Sequence, residues 1–240
     1  MASPFPPTVE RIGHRGAPRE FPENTLPAFL RALERGAAAV ELDVHATVDG
    51  VVVVHHDATI AKASDPAQIG GKLTEMTWAD VQRVELAPNV FVPSLPQVLS
   101  AIAERAVVYV EIKGADIEAL VIETIRRSPS RCAVHSFDHA LIRHCAQLAP
   151  EIPRGILFED RPVDVGASMD AASARDVWLH WKLVDKALVQ AVHARGGRVV
   201  VWTVNTPDVA SSMRALGADG ICTDDLRVVD AALSDPRAGG

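Results

Sequence analysis

Four short stretches carry side chains able to do chemistry: His14-Arg15-Gly16, Glu41-Leu42-Asp43-Val44-His45, His55-His56-Asp57 and Val110-Glu111-Ile112-Lys113. The period of two in an extended chain puts Glu41, Asp43 and His45 on one face, opposite Val40, Leu42 and Val44. Glu111 and Lys113 likewise share a face opposite Val110 and Ile112. Three carboxylates turned toward one interior cannot all ionise cheaply unless positive charge balances them. A hard divalent cation does so, since Mg2+ and Ca2+ prefer oxygen ligands. A salt-bridge network with Arg15 and Lys113 is the alternative.

His14 and His56 each end an extended segment beside a charged residue. An imidazole with an unperturbed pKa of about 6.5 can take and give protons near neutral pH; the alternative for either is a hydrogen-bonded strand-end histidine. Arg15 offers a planar fork suited to phosphate, and Lys113 a point charge. A carboxylate-held metal, two basic groups and a histidine pair suit phosphoester cleavage. They equally suit a carboxylate substrate. His139, His144 and His193 fall on predicted helices and read as surface or packing residues.

The elements that must position these groups follow from hydrophobic periodicity. Strands are predicted over 10–14, 38–44, 106–112, 131–136, 153–158, 176–181, 198–203 and 218–222. Helices are predicted over 24–35, 94–104, 115–127, 138–148, 165–173, 183–194, 206–215 and 225–233. Gly36 and Gly196-Gly197 read as helix stops, and Asp138 and Asp224 as N-caps. Eight alternating pairs point to an α/β chain folded as a (β/α)8 TIM barrel, a single domain over 9–234 with tails at 1–8 and 235–240. The G-x-G-x-x-G mark of an open doubly wound sheet is absent. Asp49-Gly50 predicts a hairpin that folds 51–55 back beside the second strand. Residues 58–93 read as a short inserted loop with one helical patch near 78–84. In such a barrel the polar clusters fall at the strand ends where βα loops begin, the usual place for chemistry.

Composition bounds the setting. The chain has 240 residues, 48% hydrophobic, with 24 Lys and Arg against 31 Asp and Glu, a formal net charge of −7. That excludes a disordered chain and argues against nucleic acid as a partner, which calls for a basic excess. Cys132, Cys145 and Cys222 make neither a disulfide framework nor a zinc pattern, so a reducing compartment is expected. The start Met-Ala-Ser-Pro-Phe-Pro-Pro lacks the marks of a secretory leader, and no window approaches 18 apolar residues. The expectation is a cytoplasmic protein with no stable membrane insertion; the oligomeric state is left open.

The segments His14-Arg15-Gly16, Pro22-Glu23-Asn24-Thr25, Glu41-Leu42-Asp43-Val44, His56-Asp57, Val110-Glu111-Ile112-Lys113 and Trp202-Thr203-Val204-Asn205 resemble, in order and spacing, the glycerophosphodiester phosphodiesterases. Asp219-Gly220-Ile221-Cys222-Thr223-Asp224 resembles that family's final strand and loop. The resemblance implies a (β/α)8 barrel that hydrolyses glycerophosphodiesters, as small-molecule substrates, to an alcohol and glycerol 3-phosphate. It implies His14 and His56 as the acid/base pair, and Glu41, Asp43 and Glu111 as ligands of one divalent cation: Mg2+, Ca2+ or, alternatively, Mn2+. Arg15 and Lys113 would hold the phosphate, Glu23 would stand on the metal side or orient the substrate, and Trp202 would either wall the glycerol pocket or pack as a core indole. Asn24 would shape the site or cap the first helix. One departure lies after Asp57, where Ala58-Thr59-Ile60-Ala61-Lys62-Ala63-Ser64 lacks the arginine the family often has there.

Overall fold

Short β-branched runs alternating with amphipathic ones fold into strands and helices over residues 9–60 and 70–234, the part of the chain described by a computed structural model. The expected tails at 1–8 and 235–240 lie outside the described residues, as do Pro66 and Ala61-Lys62-Ala63-Ser64. The strands in chain order are β1 (Glu10–Gly13), β2 (Ala39–Ala46), β3 (Val52–Val54), β4 (Thr59–Ile60), β5 (Gly71–Lys72), β6 (Glu85–Ala87), β7 (Val90–Phe91), β8 (Val107–Ile112), β9 (Arg131–Ser136), β10 (Arg154–Phe158), β11 (Asp176–His180), β12 (Arg198–Trp202) and β13 (Gly220–Thr223). The α-helices are α1 (Leu26–Glu34), α2 (Trp78–Val81), α3 (Leu95–Ile102), α4 (Glu118–Arg126), α5 (His139–Leu148), α6 (Val165–Ala172), α7 (Lys186–His193), α8 (Pro207–Leu216) and α9 (Leu226–Ser234).

Strands β1, β2 and β8 to β13 run parallel in that order, and β13 pairs back onto β1 to close the barrel. These eight strands, with α1 and α3 to α9 between them, form the TIM barrel expected from the periodicity, the helix ends shifting by a turn or less. The outward side chains Val40, Leu42 and Val44 are fully buried in the main core under the helices. Each such burial contributes roughly 1.5–3 kcal/mol relative to exposure, so the apolar outer faces drive closure. They leave the opposite faces free to carry charge. Inside the barrel, Ile12, Ala39, Tyr109, Ala133, Leu157, Trp178, Val200 and Cys222 form a separate apolar filling.

The Asp49-Gly50 turn folds β3 antiparallel against β2, with Val44 opposite Val54 and Ala46 opposite Val52. Of residues 58–93, the described ones, 58–60 and 70–93, do more than loop. They hold two antiparallel pairs, β4–β5 and β6–β7, with a 3-10 turn and α2. A core of their own joins Ile60, Leu73, Met76, Val81, Val84 and Val92 to Val53. Elements of two to four residues are too short to display a hydrophobic period, which is why the sequence reads this part as a loop. Among the described residues no helix is long and apolar enough to cross a membrane.

Candidate active site

The turn after β1 is built for close approach. Arg15 (φ 53°) and Gly16 (φ 91°) both adopt left-handed backbone. A Cβ on Gly16 would lie 2.7 Å from the carbonyl carbon of Ala28, so only glycine fits. The turn aims the Arg15 N–H at Glu41 Oε2 (3.2 Å). Asn24 is a second left-handed residue (φ 59°), and it is buried. Its Nδ2 donates to Asp43 Oδ2 (2.9 Å) and its Oδ1 accepts the Asp43 N–H (3.3 Å). Thr25, not Asn24, is the N-cap of α1. Two left-handed residues other than glycine, each costing of order 1 kcal/mol or more, are held by contacts to the same acidic strand.

The parallel register sets Asp43 beside Glu111 and Glu111 beside His135 across β2, β8 and β9. All four of Glu41, Asp43, Glu111 and His135 are buried. Burial, with repulsion from Asp43 and Glu111, holds the Glu41 carboxyl well above the usual carboxylate range. Burial and Asp43 likewise raise Glu111. Burial alone would raise Asp43 too, but Arg15, the Asn24 amide and Lys113 outweigh it and hold that carboxyl low. Arg15 Nε lies 3.1 Å from Asp43 Oδ2, and Lys113 Nζ lies 3.1 Å from Glu111 Oε1 and 3.6 Å from Asp43 Oδ1. The salt-bridge network is therefore real, yet it is incomplete. Asp43 Oδ1 and both ring nitrogens of His135 are buried without a hydrogen-bond partner. Glu41, Glu111 and His135 each offer a ligand atom, and these lie within 4.8 Å of one another. Burial pushes the His135 imidazole down to about 3, so it is neutral. Two unsettled carboxylates and a neutral imidazole with an unused lone pair fit a divalent cation.

The two strand-end histidines are presented alike. His14 Nδ1–H donates to Asp224 Oδ1 (2.7 Å), and His56 Nδ1–H donates to Asp57 Oδ1 (2.7 Å). Each pair fixes a tautomer and leaves Nε2 free to act. Asp224 is held in turn by Asn205, whose Nδ2 donates to Oδ2 (2.6 Å). Burial would raise the Asp224 carboxyl, but the bonds from His14 and Asn205 outweigh it and hold it below its usual range. The expected N-cap role passes to the neighbouring Asp225, which accepts the Arg227 N–H (3.1 Å). His45, further along β2, donates from Nε2 to the His56 carbonyl (3.0 Å) and braces that loop.

His14, Arg15, Glu41, His56, Glu111, Lys113 and Trp202 line one cavity of about 230 Å3 at the C-terminal end of the barrel. Asp43 sits just behind it. Glu23 reaches the site through Arg15, its Oε1 accepting from Nη1 at 2.8 Å. The Trp202 ring meets Phe137 edge-on at 6.0 Å, and both face the cavity. Sequence reasoning gave no site role to Asp57, His135, Asn205 or Asp224. Asp57 adjoins His56 in sequence and was within reach. The His14–Asp224 pair spans 210 positions and has no local signal.

The model of the glycerophosphoryl diester phosphodiesterase family matches residues 14–228. A glycerophosphodiester phosphodiesterase of Caldanaerobacter subterraneus subsp. tengcongensis is 29% identical over 232 residues, covering 89% of this chain and 93% of the relative. A solved structure from Silicibacter pomeroyi superposes with a TM-score of 0.85 at 28% identity, over 95% of this chain and 94% of that one. A phosphodiesterase of Oleispira antarctica, solved in complex with the product sn-glycerol-3-phosphate, shares the fold with a TM-score of 0.87 at 21% identity, over 95% of this chain and 98% of that one.

Proposed function

The chain belongs to the glycerophosphoryl diester phosphodiesterase family and is a glycerophosphodiester phosphodiesterase, and from that premise we propose that the cavity at the barrel mouth cleaves a glycerophosphodiester to an alcohol and sn-glycerol 3-phosphate by two-histidine acid–base catalysis. One observation carries the mechanism: His14 and His56 face a single cavity, each with Nδ1 tied to a carboxylate and Nε2 free.

In this reading one histidine takes the proton of the attacking hydroxyl as its oxygen bonds to phosphorus. The other gives its proton to the alcohol oxygen as the phosphorus–oxygen bond breaks. The attacking hydroxyl belongs either to water or to the substrate's glycerol; the second route makes a cyclic phosphate that water then opens, with the histidine roles reversed. Asp224 and Asp57 stabilise each imidazolium as it forms. Arg15 and Lys113 hold the phosphoryl oxygens through their remaining N–H donors. Glu41, Asp43 and Glu111 hold a divalent cation (Mg2+, Ca2+ or Mn2+), which supplies positive charge against the phosphoryl oxygens. Trp202 walls the glycerol, and Glu23 fixes the Arg15 guanidinium from outside. The same reading puts the enzyme in glycerophospholipid breakdown in the cytoplasm, supported by three free cysteines, of which Cys145 and Cys222 are buried.

The test is to incubate the metal-stripped protein with a panel of glycerophosphodiesters and measure glycerol 3-phosphate, first with EDTA and then with Mg2+, Mn2+ or Ca2+ restored. Release that EDTA abolishes and a cation restores is the expected result. No release from any diester under any cation contradicts the proposal.

A further inference from the structure

Among the described residues inside the barrel, His135 is a buried polar side chain that the mechanism above leaves unused. His135 ends the row begun by Asp43 and Glu111 and is 1% exposed. Its ring stacks on Trp178, with centroids 4.4 Å apart and planes at 8°, and meets Tyr109 edge-on at 6.3 Å. The two aromatic neighbours lock its plane. Neither ring nitrogen has a hydrogen-bond partner, and Nε2 stops 3.9 Å from Glu41 Oε1. A buried imidazole that satisfies neither nitrogen costs free energy unless something else uses its lone pair. A plain packing role would be met better by an apolar ring of the same size. The 3.9 Å gap to Glu41 is long for a hydrogen bond. Two donors each about 2.0–2.2 Å from one ion lie roughly 3–3.6 Å apart when adjacent and up to about 4.4 Å when opposed, so the 3.9 Å gap is within the reach of one shared ion.

We infer that His135 is a nitrogen ligand of the cation site, joining Glu41 and Glu111, and that it biases the site toward first-row transition cations, Mn2+ among them, over Ca2+. The inference rests on the proposed cation site, and it sharpens which cation that site takes. Ca2+ gains little from an imidazole; Zn2+, Fe2+ and Ni2+ favour one, and Mn2+ stands at the foot of the same first-row series. The aromatic stack does for His135 what a hydrogen-bonded carboxylate usually does for a ligating histidine: it fixes the ring before the ion arrives.

The test uses the full chain, stripped of metal and loaded with Mn2+ alone. Pulsed electron paramagnetic resonance of the bound ion is expected to show coupling to a directly bound imidazole nitrogen. That coupling is lost in His135→Gln and kept in His14→Ala and His56→Ala. Calorimetric titration is expected to show Mn2+ affinity falling about tenfold or more in His135→Gln, the scale on which altered ligand surroundings act, with Ca2+ affinity changing less than about threefold. Mn2+ that binds the unmodified chain with no nitrogen coupling overturns the inference, whatever the variant does, and leaves a carboxylate-only cation site standing. Failure of the unmodified chain to bind any divalent cation overturns the cation site itself and this inference with it.

Discussion

The barrel carries a cluster of buried charge at each end, and the two are built to opposite rules. At the N-terminal end, Arg175 forks onto Asp176 at 2.8 and 2.6 Å. Arg198 donates to Tyr109 Oη (2.9 Å) and to Glu10 Oε2 (2.6 Å), and Tyr109 donates to that same oxygen at 2.8 Å. Two arginines meet two carboxylates, and none of these side chains is left with an unpaired buried atom. At the C-terminal end, three buried carboxylates (Glu41, Asp43, Glu111) meet Arg15 and Lys113, and Asp43 Oδ1 and both His135 ring nitrogens lack a hydrogen-bond partner. The settled cluster plugs the barrel. The unsettled one holds the donors that the proposed cation would use. Satisfaction of polar groups, more than their mere presence, separates scaffold from site.

The contrast can be broken from either end. The largest effect is expected at the top. Glu41→Gln should cut turnover by about 1,000-fold, equal to roughly 4 kcal/mol of barrier. Yet it should leave the melting temperature of the metal-free protein unchanged or higher, because it removes repulsion. Steady-state kinetics beside thermal unfolding checks both halves. Arg198→Ala is the mirror image. Leaving Glu10 with only the Tyr109 hydroxyl, while Arg175 still pairs Asp176, should cost about 2 kcal/mol of stability, with turnover per folded molecule within about twofold of wild type. Denaturant unfolding with an activity assay on the folded fraction reads it.

Smaller effects sharpen the picture of the top. His14→Ala and His56→Ala should each lower turnover by about 100-fold, the scale of acid–base catalysis. Asp224→Asn should lower it by about tenfold, since the histidine remains but loses its fixed tautomer. Asp224 also gives a pH signature. Its carboxyl titrates below the unfolded value of about 3.9, because the bonds from His14 and Asn205 overcome the effect of burial. The unfolded chain therefore binds the proton first as pH falls, and the stability Asp224 contributes is present above about pH 4 and lost below it. The gap in melting temperature between wild type and Asp224→Asn should hold from pH 7 to about 4 and close beneath that.

Much of this was readable before any coordinates. Valines alternating with Glu41 and Asp43 announced which face of β2 turns inward, because a parallel strand can bury its apolar side only against helices. His14, His56 and Lys113 could be placed at the mouth because each follows directly on a strand. What escaped depends on contacts distant in sequence or on very short elements. His135 lies in an ordinary-looking run, Ala133-Val134-His135-Ser136, and becomes notable only once the register sets it beside Glu111. Asn205 looks like a loop residue until it grips Asp224. The small core around Leu73 and Val81 is assembled from pieces too brief to show a period. Asn24 could be read as cap or as site residue, and only its bond to Asp43 decides.

The central claim is that the unsettled cluster at the barrel mouth awaits a cation and the settled one at the base does not. Thermal unfolding of metal-stripped wild type, Glu41→Gln and Arg198→Ala, each with and without saturating Mn2+ or Mg2+, tests it most directly. A cation at about a hundred times its Kd adds roughly 2.7 kcal/mol, or about 5–10 °C for a chain of this size. The account predicts that rise in wild type and in Arg198→Ala, and little or none in Glu41→Gln. An equal rise in Glu41→Gln, or no rise in any of the three, contradicts it.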